Sequence, residues 1–449
     1  MIKFNSTEGI DYVLWNLIGQ PEFQRLRRIR QLGFADIVFP GATHSRFSHA
    51  LGAMQMARSM LDVLRKNRAF KDSRWDPRLW EPATLCAALL HDVGHGPFSH
   101  VFEEVSEDLC SEAMSHEDWT LEFISNGGVA DILKKHSSEL LANTKSFFET
   151  EPGYNPYSAV VSSQLDADRL DFLFRDRHYT GVKFGGIDLS WILDSLQIQE
   201  VQLQQDVTEF CFVISEKGLS AVQEYIYLYM DMYNKVYFHK TARAAQTMMY
   251  LMLKEVLSNT SNLSSTIEDL PIIQFFEQTK KLKRKNRTKN LGQVSAAYRA
   301  LYLRLDDTAV WALVNALSID KKQPGHNLAC RLLNRDLFKP LTLPKRPTES
   351  FSPQKKAQFE KQLNKKGIVS YRDTPPPKGF KKYEFTEEEP GKYLLNILVE
   401  SEFDREPKPI SSLVPALAEL AERPPARLYF LTEADRSRAR DLWKEIDRP

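Results

Sequence analysis

The sequence predicts a mainly α-helical fold with a small α+β region at its C-terminal end. Apolar residues recur at helical spacing through most of the first 335 residues, whereas strand-like runs and one helix fill the end of the chain. A stretch mixing Pro, Ser and Lys over 340–367 indicates a linker. We therefore expect a helical domain over residues 1–335 and an α+β region over residues 336–449.

The N-terminal half supplies the helices that carry most of the informative polar residues. Apolar residues at spacings of three predict an amphipathic helix with a basic face over residues 22–32. The next helix is expected to begin after Thr43 or Ser45 and to run to about Lys66. Residues 80–92 predict a third helix, which should be buried because it is apolar nearly all round.

The same patterns predict the remaining elements. Helices are expected over residues 116–124, 157–175, 217–257, 291–304, 308–317, 327–336 and 433–446. Strands are expected over residues 201–214, 392–401 and 427–431.

Composition excludes some classes of protein. A net charge of +1 means that contact with nucleic acid would have to come from a local patch. Residues 280–289 are the candidate, with seven basic residues in ten, but they lack interleaved aromatic residues, and a solvated loop is the favoured interpretation. No apolar signal region and no membrane-length apolar run are present, and none of the four cysteines forms a CxxC motif. We expect a soluble cytoplasmic protein with no membrane contact.

The most informative feature is the pair His91-Asp92 at the end of the predicted buried helix, followed by Val93-Gly94-His95-Gly96-Pro97. His49 lies 42 residues before His91, and Asp168 lies 76 residues after Asp92. Two imidazoles and two carboxylates suit a divalent Mn, Fe, Zn, Co or Ni ion and tolerate Mg. Arg46 lies one helical turn before His49, so its guanidinium can bind phosphate oxygens beside the metal.

These blocks give the chain a specific resemblance. The run 23–33 (Phe-Gln-Arg-Leu-Arg-Arg-Ile-Arg-Gln-Leu-Gly), the run 38–52 around Arg46-Phe47-Ser48-His49, the run 90–100 around His91-Asp92, and residues 168–176 stand in the order found in one superfamily. The chain resembles the HD-domain phosphohydrolases, in particular their deoxynucleoside triphosphate triphosphohydrolase branch, which includes dGTPase-type enzymes. The resemblance covers roughly residues 1–260 and implies a helical HD-domain core.

The resemblance implies a function and a set of site residues. It implies that one divalent metal ion helps to hydrolyse (deoxy)nucleoside triphosphates to nucleoside and tripolyphosphate, and that the protein is a homo-oligomer. The implied metal ligands are His49, His91, Asp92 and Asp168. The implied catalytic residues are Arg46, His95, Glu103 and His116, with His116 as general acid and Glu103 as its acidic partner. The implied substrate contacts are Gln31, Leu32, Arg46, His100, Phe172, Asp176, Lys235, His239 and Arg243.

Two positions depart from the pattern of the family. Phe172 stands where the most similar members carry a Tyr under the deoxyribose, and Arg243 stands near a second usual Tyr. The loss of two hydroxyls weakens the expectation of a deoxynucleotide substrate more than the expectation of a metal phosphohydrolase.

Two other functions remain open from the sequence. One is an HD-type phosphodiesterase or nuclease acting on nucleic acid or a cyclic nucleotide, which the basic run at 280–289 favours. The other is a non-catalytic nucleotide sensor, against which the complete ligand set argues. The sequence leaves open the native metal, the base and sugar preference, any activating nucleotide, the number of subunits and the role of the C-terminal region.

Overall fold

The computed structural model describes residues 2–5, 7–66, 74–110, 113–149, 155–183, 186–204, 207–281, 294–343, 353–375, 396–400, 406–418 and 426–446. Within these ranges the chain is mainly helical with two small sheets, which confirms the predicted fold class. None of the described helices is long and apolar enough to cross a membrane.

The helices of the first half surround the HD motif. They are α1 (Gly9–Ile18), α2 (Pro21–Gln24), α3 (Arg46–Lys66), α4 (Pro77–Leu90), α5 (His100–Leu109), α6 (His116–Ser125), α7 (Gly128–His136), α8 (Ser138–Ser146), α9 (Pro156–Val161), α10 (Ala167–Thr180) and α11 (Leu189–Ser195).

The later helices complete the body and the C-terminal region. They are α12 (Leu219–Met232), α13 (Lys240–Ser258), α14 (Ser265–Glu268), α15 (Pro271–Lys281), α16 (Ala296–Tyr302), α17 (Asp307–Ile319), α18 (His326–Leu333), α19 (Pro353–Lys365), α20 (Ile410–Leu413), α21 (Pro415–Ala418) and α22 (Glu433–Ile446).

Within the described residues, seven strands form two sheets. They are β1 (Leu196–Gln204), β2 (Val207–Ile214), β3 (Lys339–Thr342), β4 (Ser370–Asp373), β5 (Leu398–Val399), β6 (Lys408–Pro409) and β7 (Arg427–Phe430). The first sheet has the order β1-β2-β5-β6, in which only the β2–β5 pair is parallel. The second has the order β3-β7-β4 and is antiparallel.

Three helices position the HD motif. Helix α3 packs against both α4 and α10, and apolar residues of all three belong to one core. Residues 83–90 of α4 are all buried, as the sequence predicts. Asp76 caps the start of this helix by accepting the backbone N–H of Arg78, and Pro77 fits the first position because its missing N–H would have no partner there. Helix α4 therefore carries its C-terminal end, with His91, into the interior.

The predicted helix over residues 22–32 is wrong. Only α2 and a 3-10 turn at Arg25–Arg28 form, and Ile29 is extended. The following segment pairs instead with the chain before α3: Arg30 bridges to Ser45, and the N–H of Gln31 donates to the carbonyl of His44. These tertiary bonds override the helical periodicity.

Two other predicted helices are each divided in two. Residues 157–175 form α9 and α10, because the Asp166 carboxylate accepts the N–H of Arg169 and starts a new helix there. Residues 217–257 form α12 and α13, separated by a π turn at Tyr233–Tyr237. Most of the basic run 280–289 and part of the predicted strand 392–401 lie outside the described residues.

The two-domain division at residue 335 stays a prediction. The sheet β3-β7-β4 packs with α19 and α22 around a separate cluster that contains Phe359, Leu363 and Leu442. Strand β5, however, belongs to the same part of the sequence and pairs with β2 of the helical body. The C-terminal region thus has a core of its own and also extends the hairpin β1–β2.

Phe359→Ala tests this division. Phe359 is buried and packs edge-on against Trp443 at a centroid distance of 5.2 Å, so truncation should cost about 3–5 kcal/mol of folding free energy. We expect faster hydrogen exchange in residues 353–375 and 426–446 but unchanged exchange in α3. The exposed Val369→Ala is the control. A uniform rise over the whole chain would instead indicate one cooperative unit.

Candidate metal centre and active site

His49 is the buried centre of the candidate site. It stands one turn into α3, and its Nδ1 lies 2.9 Å from Oδ2 of Asp171 on α10. Although burial alone would raise the pKa of Asp171, hydrogen bonds from His49 and Arg175 lower it, so this carboxylate is ionised. An ionised carboxylate only accepts; Nδ1 of His49 therefore carries a proton, and in the neutral ring Nε2 presents a lone pair.

His91 presents a second free lone pair. It ends α4, and its Nδ1 lies 2.9 Å from the carbonyl oxygen of Ala88, which can only accept a hydrogen bond. Its Nε2 lies 3.1 Å from Nε2 of His49. Asp168, in the first turn of α10, places Oδ1 3.0 Å from Nε2 of His49 and 3.5 Å from Nε2 of His91.

Asp92 adds a carboxylate to the same point. Its oxygens lie 3.7 Å from Nε2 of His49 and 3.5 Å from Nε2 of His91. The ligand atoms of His49, His91 and Asp92 all lie within 4.8 Å of one another. When both imidazoles are neutral, lone pairs of His49, His91, Asp92 and Asp168 face one another, an arrangement that a cation at the centre stabilises.

The charge of the cluster supports the same conclusion. Burial alone would lower the pKa of His49, but Asp168 and Asp171 raise the pKa to about 10. The cluster therefore attracts a positive charge, and two imidazoles with two carboxylates are donors that a divalent transition metal accepts. The structure brings the four predicted ligands together; their role as ligands stays a prediction.

Arg46 lies beside the cluster and is buried. Its Nη1 donates to Oδ2 of Asp92 at 2.6 Å, and its Nε donates to Oγ of Ser99 at 3.0 Å. Although burial would raise the pKa of Asp92, the positive charge of Arg46 helps to hold it well below its usual value. Arg46 therefore stands next to the predicted metal with its guanidinium fixed at two points.

Three histidines lie on the other side of Asp92. Nε2 of His95 lies 3.2 Å from Oδ1 of Asp92, and the His95 ring stacks on His116 at a centroid distance of 4.1 Å. His100, largely exposed, has its ring 6.1 Å from both. Burial and the charge of Arg46 hold the pKa of His95 well below its usual value, so His95 is neutral near pH 7.

The pKa of His116 is shifted in the opposite direction. It begins α6, and its Nδ1 lies 3.0 and 3.1 Å from the two carboxylate oxygens of Glu103. Burial lowers the pKa of His116, but the hydrogen bond and charge of Glu103 outweigh this effect and raise it. Gly94 lets the backbone of His116 pack against the turn after the HD pair, since a Cβ at position 94 would lie 2.1 Å from the carbonyl oxygen of His116.

A second group of predicted residues lies on the α10 side. The Phe172 ring lies 6.4 Å from that of His49. Asp176 is buried; its Oδ1 lies 2.7 Å from Nε2 of His44, and its Oδ2 accepts the Tyr237 hydroxyl at 2.7 Å. The Tyr237 ring also meets Phe172, at 6.2 Å. Sequence reasoning missed Tyr237, whose only signal was its place in an aromatic-rich segment.

Gln31 and Leu32 lie near the same group, because the N–H of Gln31 donates to the carbonyl of His44 at 3.0 Å. The His44 ring in turn contacts Asp176. Leu32 is half-buried and packs against the core. The side-chain Oε1 of Gln31 is buried and has no hydrogen-bond partner among the described residues.

The last three predicted substrate residues make polar contacts with residues outside the predicted site. Lys235 is exposed and lies 2.8 Å from Asp231. His239 caps α13, with Nδ1 accepting the N–H of Thr241. Arg243 donates to Asp373 of β4 and to Gln246.

Sequence reasoning also missed the second role of Asp171. Its spacing from Arg175 predicts an ion pair, which forms with N–O distances of 2.8 and 2.9 Å. The same carboxylate also fixes the ring of His49, a contact over 122 residues that no local pattern reveals.

Comparison with known proteins identifies the domain. Residues 46–172 match the family model of the HD domain. Residues 46–172 therefore form an HD domain. This match covers His49, His91, Asp92, Asp168 and Asp171, and HD-domain proteins bind a divalent metal.

Sequence similarity to other proteins extends beyond residues 46–172. This chain is 40% identical over 244 residues to the uncharacterized protein YwfO of Bacillus subtilis, covering 54% of this chain and 52% of that protein. It is 31% identical over 315 residues to an uncharacterized protein of Methanocaldococcus jannaschii, covering 68% and 60% of the two chains. It is 28% identical over 250 residues to the deoxynucleoside triphosphate triphosphohydrolase SAMHD1 homolog of Dictyostelium discoideum, covering 53% and 45%.

A crystal structure shares the whole fold. A phosphohydrolase of Bacteroides thetaiotaomicron has a TM-score of 0.69 at 24% identity, over 93% of this chain and 95% of that one. The chain spans about half to three-fifths of the length of the curated relatives YwfO and the M. jannaschii protein.

Gly52→Ala tests the support of the metal centre. A Cβ at position 52 would lie 1.9 Å from Oδ1 of Asp171 and 2.3 Å from Nη2 of Arg175. Because the pair must move, His49 loses its acceptor, and we expect Mn²⁺ affinity to fall by about 10–100-fold in calorimetric titration. Gly186→Ala, whose added Cβ would meet nothing within 4 Å, is the control. Unchanged affinity in the Gly52 variant would contradict the supporting role of Asp171.

Proposed function

We propose that this HD-domain protein hydrolyses (deoxy)nucleoside triphosphates to nucleoside and tripolyphosphate, with one divalent metal ion held by His49, His91, Asp92 and Asp168. The observation that carries the proposal is the convergence of four lone-pair donors beside a fixed arginine and a histidine–glutamate pair. A cation site, a phosphate-binding group and a proton donor are what a metal-assisted hydrolysis of a phosphate ester requires.

The proposed roles follow from the contacts. The four ligands would hold a metal ion, which would supply polarisation of a phosphoryl oxygen and a lowered pKa of bound water. Arg46, with its Nη1 and Nε already oriented by Asp92 and Ser99, binds phosphate oxygens and balances the charge that develops in the transition state.

His116 is the proposed general acid. Its Nδ1 faces Glu103, so its Nε2 is the atom that can deliver a proton to the leaving oxygen. Glu103 keeps it protonated by raising its pKa. His95, stacked on it and neutral, separates this proton from the Asp92 carboxylate.

The substrate side of the proposal is a nucleoside. Phe172 offers an aromatic face to the sugar, and Asp176 with Tyr237 offers a carboxylate and a hydroxyl for the 3′-hydroxyl. Gln31, Leu32 and His100 extend this proposed surface, and Lys235, His239 and Arg243 form its basic end. Similarity to proteins named deoxynucleoside triphosphate triphosphohydrolase supports deoxynucleotides.

Further features of the proposal rest on the resemblance and on composition. They are a homo-oligomeric state, a cytoplasmic location and a metal from the set Mn, Fe, Co, Ni, Zn and Mg. Contact with nucleic acid through residues 280–289 stays a prediction, because most of that run lies outside the described residues.

Product analysis tests the proposed function. The protein with Mn²⁺ is incubated with each of the eight common NTPs and dNTPs, and products are resolved by anion exchange, with Asp92→Ala as the control. We expect nucleoside and tripolyphosphate, absent from the control. Orthophosphate or pyrophosphate would mean that another phosphorus lies at the metal. No turnover of any nucleotide would favour the phosphodiesterase alternative.

Glu103→Gln tests the proton donor. The carboxylate raises the pKa of His116, and a general acid is active only while protonated. Removing the charge lowers this pKa, so the alkaline limb of the kcat–pH profile should move to lower pH by about one unit. Glu104→Gln, on the same helix, is the control. An unmoved alkaline limb in the Glu103 variant would assign the proton transfer to another group.

A further inference from the structure

The turn that follows the HD motif holds two non-glycine residues in the left-handed region. Phe98 has φ 51° and Ser99 has φ 50°. Residues with side chains rarely adopt this conformation, and a bulky Phe is among the least suited to it. Such strain persists only where surrounding contacts determine it, and it is common at functional sites.

Asp307 supplies the contacts that hold this turn. It is the first residue of α17 and is 5% exposed. Its Oδ1 accepts the N–H of Phe98 at 2.8 Å, and its Oδ2 accepts the N–H of Arg30 at 2.9 Å. The Phe98 ring is fixed as well, because it stacks on Phe34 at a centroid distance of 4.6 Å.

The strained turn ends at the side chain that orients Arg46. Oγ of Ser99 accepts Nε of Arg46 at 3.0 Å, and Nη1 of the same guanidinium donates to Asp92 at 2.6 Å. A continuous path therefore runs from Asp307 through the Phe98 backbone and Ser99 to Arg46. A relaxed turn would carry Ser99 Oγ away from the guanidinium.

The residues just before Asp307 fix the same surroundings. The carbonyl of Leu305 accepts Nη1 of Arg25, whose Nη2 donates to the carbonyl of Val93, next to Asp92. Asp306 pairs with Arg28 at 2.5 Å. The start of α17 thus binds the 25–30 segment and the HD turn together.

We propose that Asp307 is a positioning residue of the phosphohydrolase: it holds Phe98 and Ser99 in the left-handed conformation that presents Ser99 Oγ to Arg46. This inference rests on the proposed function of Arg46 in hydrolysis. Asp307 lies outside the residues matched by the HD-domain family model, so the site depends on a part of the chain that the HD domain does not contain.

A double-mutant cycle tests the path. Asp307→Asn keeps the side-chain volume but turns an amide N–H toward a backbone N–H; Ser99→Ala removes the acceptor of Arg46. Each should lower kcat by about tenfold, with KM within about twofold. Because both act through Arg46, the double variant should be no slower than the slower single variant. Asp320→Asn, at the exposed C-terminal end of the same helix, is the control and should leave kcat unchanged.

The cycle is measured on dATP and on bis(p-nitrophenyl) phosphate, both with Mn²⁺. If the wild-type protein cleaves only the diester, the triphosphohydrolase proposal is wrong, and the cycle can still be measured on the diester. Multiplicative effects of Asp307→Asn and Ser99→Ala would overturn the positioning role. So would a rise of KM in Asp307→Asn with kcat unchanged.

Hydrogen exchange tests the anchoring step without any substrate. In Asp307→Asn, peptides spanning 96–102 should exchange at least tenfold faster than in the wild type, while α13 keeps its protection and so reports an intact fold. Asp320→Asn should leave the 96–102 peptides unchanged. Wild-type exchange in these peptides of Asp307→Asn would overturn the proposal, whatever the activity.

Discussion

The site depends on the two ring nitrogens of one buried histidine. His49 donates a hydrogen bond from Nδ1 to Asp171, which turns Nε2 toward His91, Asp92 and Asp168. This single orientation requires α3, α4 and α10 to lie close together. Gly52 allows the closest of these contacts, since any side chain there would collide with Asp171. The packing of these three helices therefore determines the geometry of the site.

The distribution of charge around this histidine separates two tasks. On one side, carboxylates exceed cations and favour a metal ion. On the other side, burial and Arg46 lower the pKa of His95, whereas Glu103 raises the pKa of His116. Two stacked imidazoles with pKa values shifted in opposite directions are a typical arrangement for acid–base chemistry. The shifts arise from burial and neighbouring charges rather than from differences between the residues themselves.

The sequence alone could predict what is local. The apolar run before His91 predicts a buried helix whose end carries the HD pair, and α4 has this form. The helix over residues 22–32 was wrong because pairing with the segment before α3 is a tertiary effect. Likewise, the bonds of Asp171 to His49, His44 to Asp176 and Asp307 to Phe98 join residues 122, 132 and 209 positions apart. No periodicity encodes such pairs, whereas the order of the sequence blocks is enough to suggest the four metal ligands.

The C-terminal region contacts helix α13 through Arg243. This arginine stands in the segment proposed to bind the nucleotide, yet its guanidinium donates to Asp373 of β4, whose Oδ2 also accepts the Tyr429 hydroxyl. Although burial would lower the pKa of Arg243, Asp373 raises it, so the cation persists at any working pH. A nucleotide recruited by Arg243 must share this guanidinium with Asp373 or displace it. Asp373, which lies far outside the HD domain, therefore orients the guanidinium of Arg243.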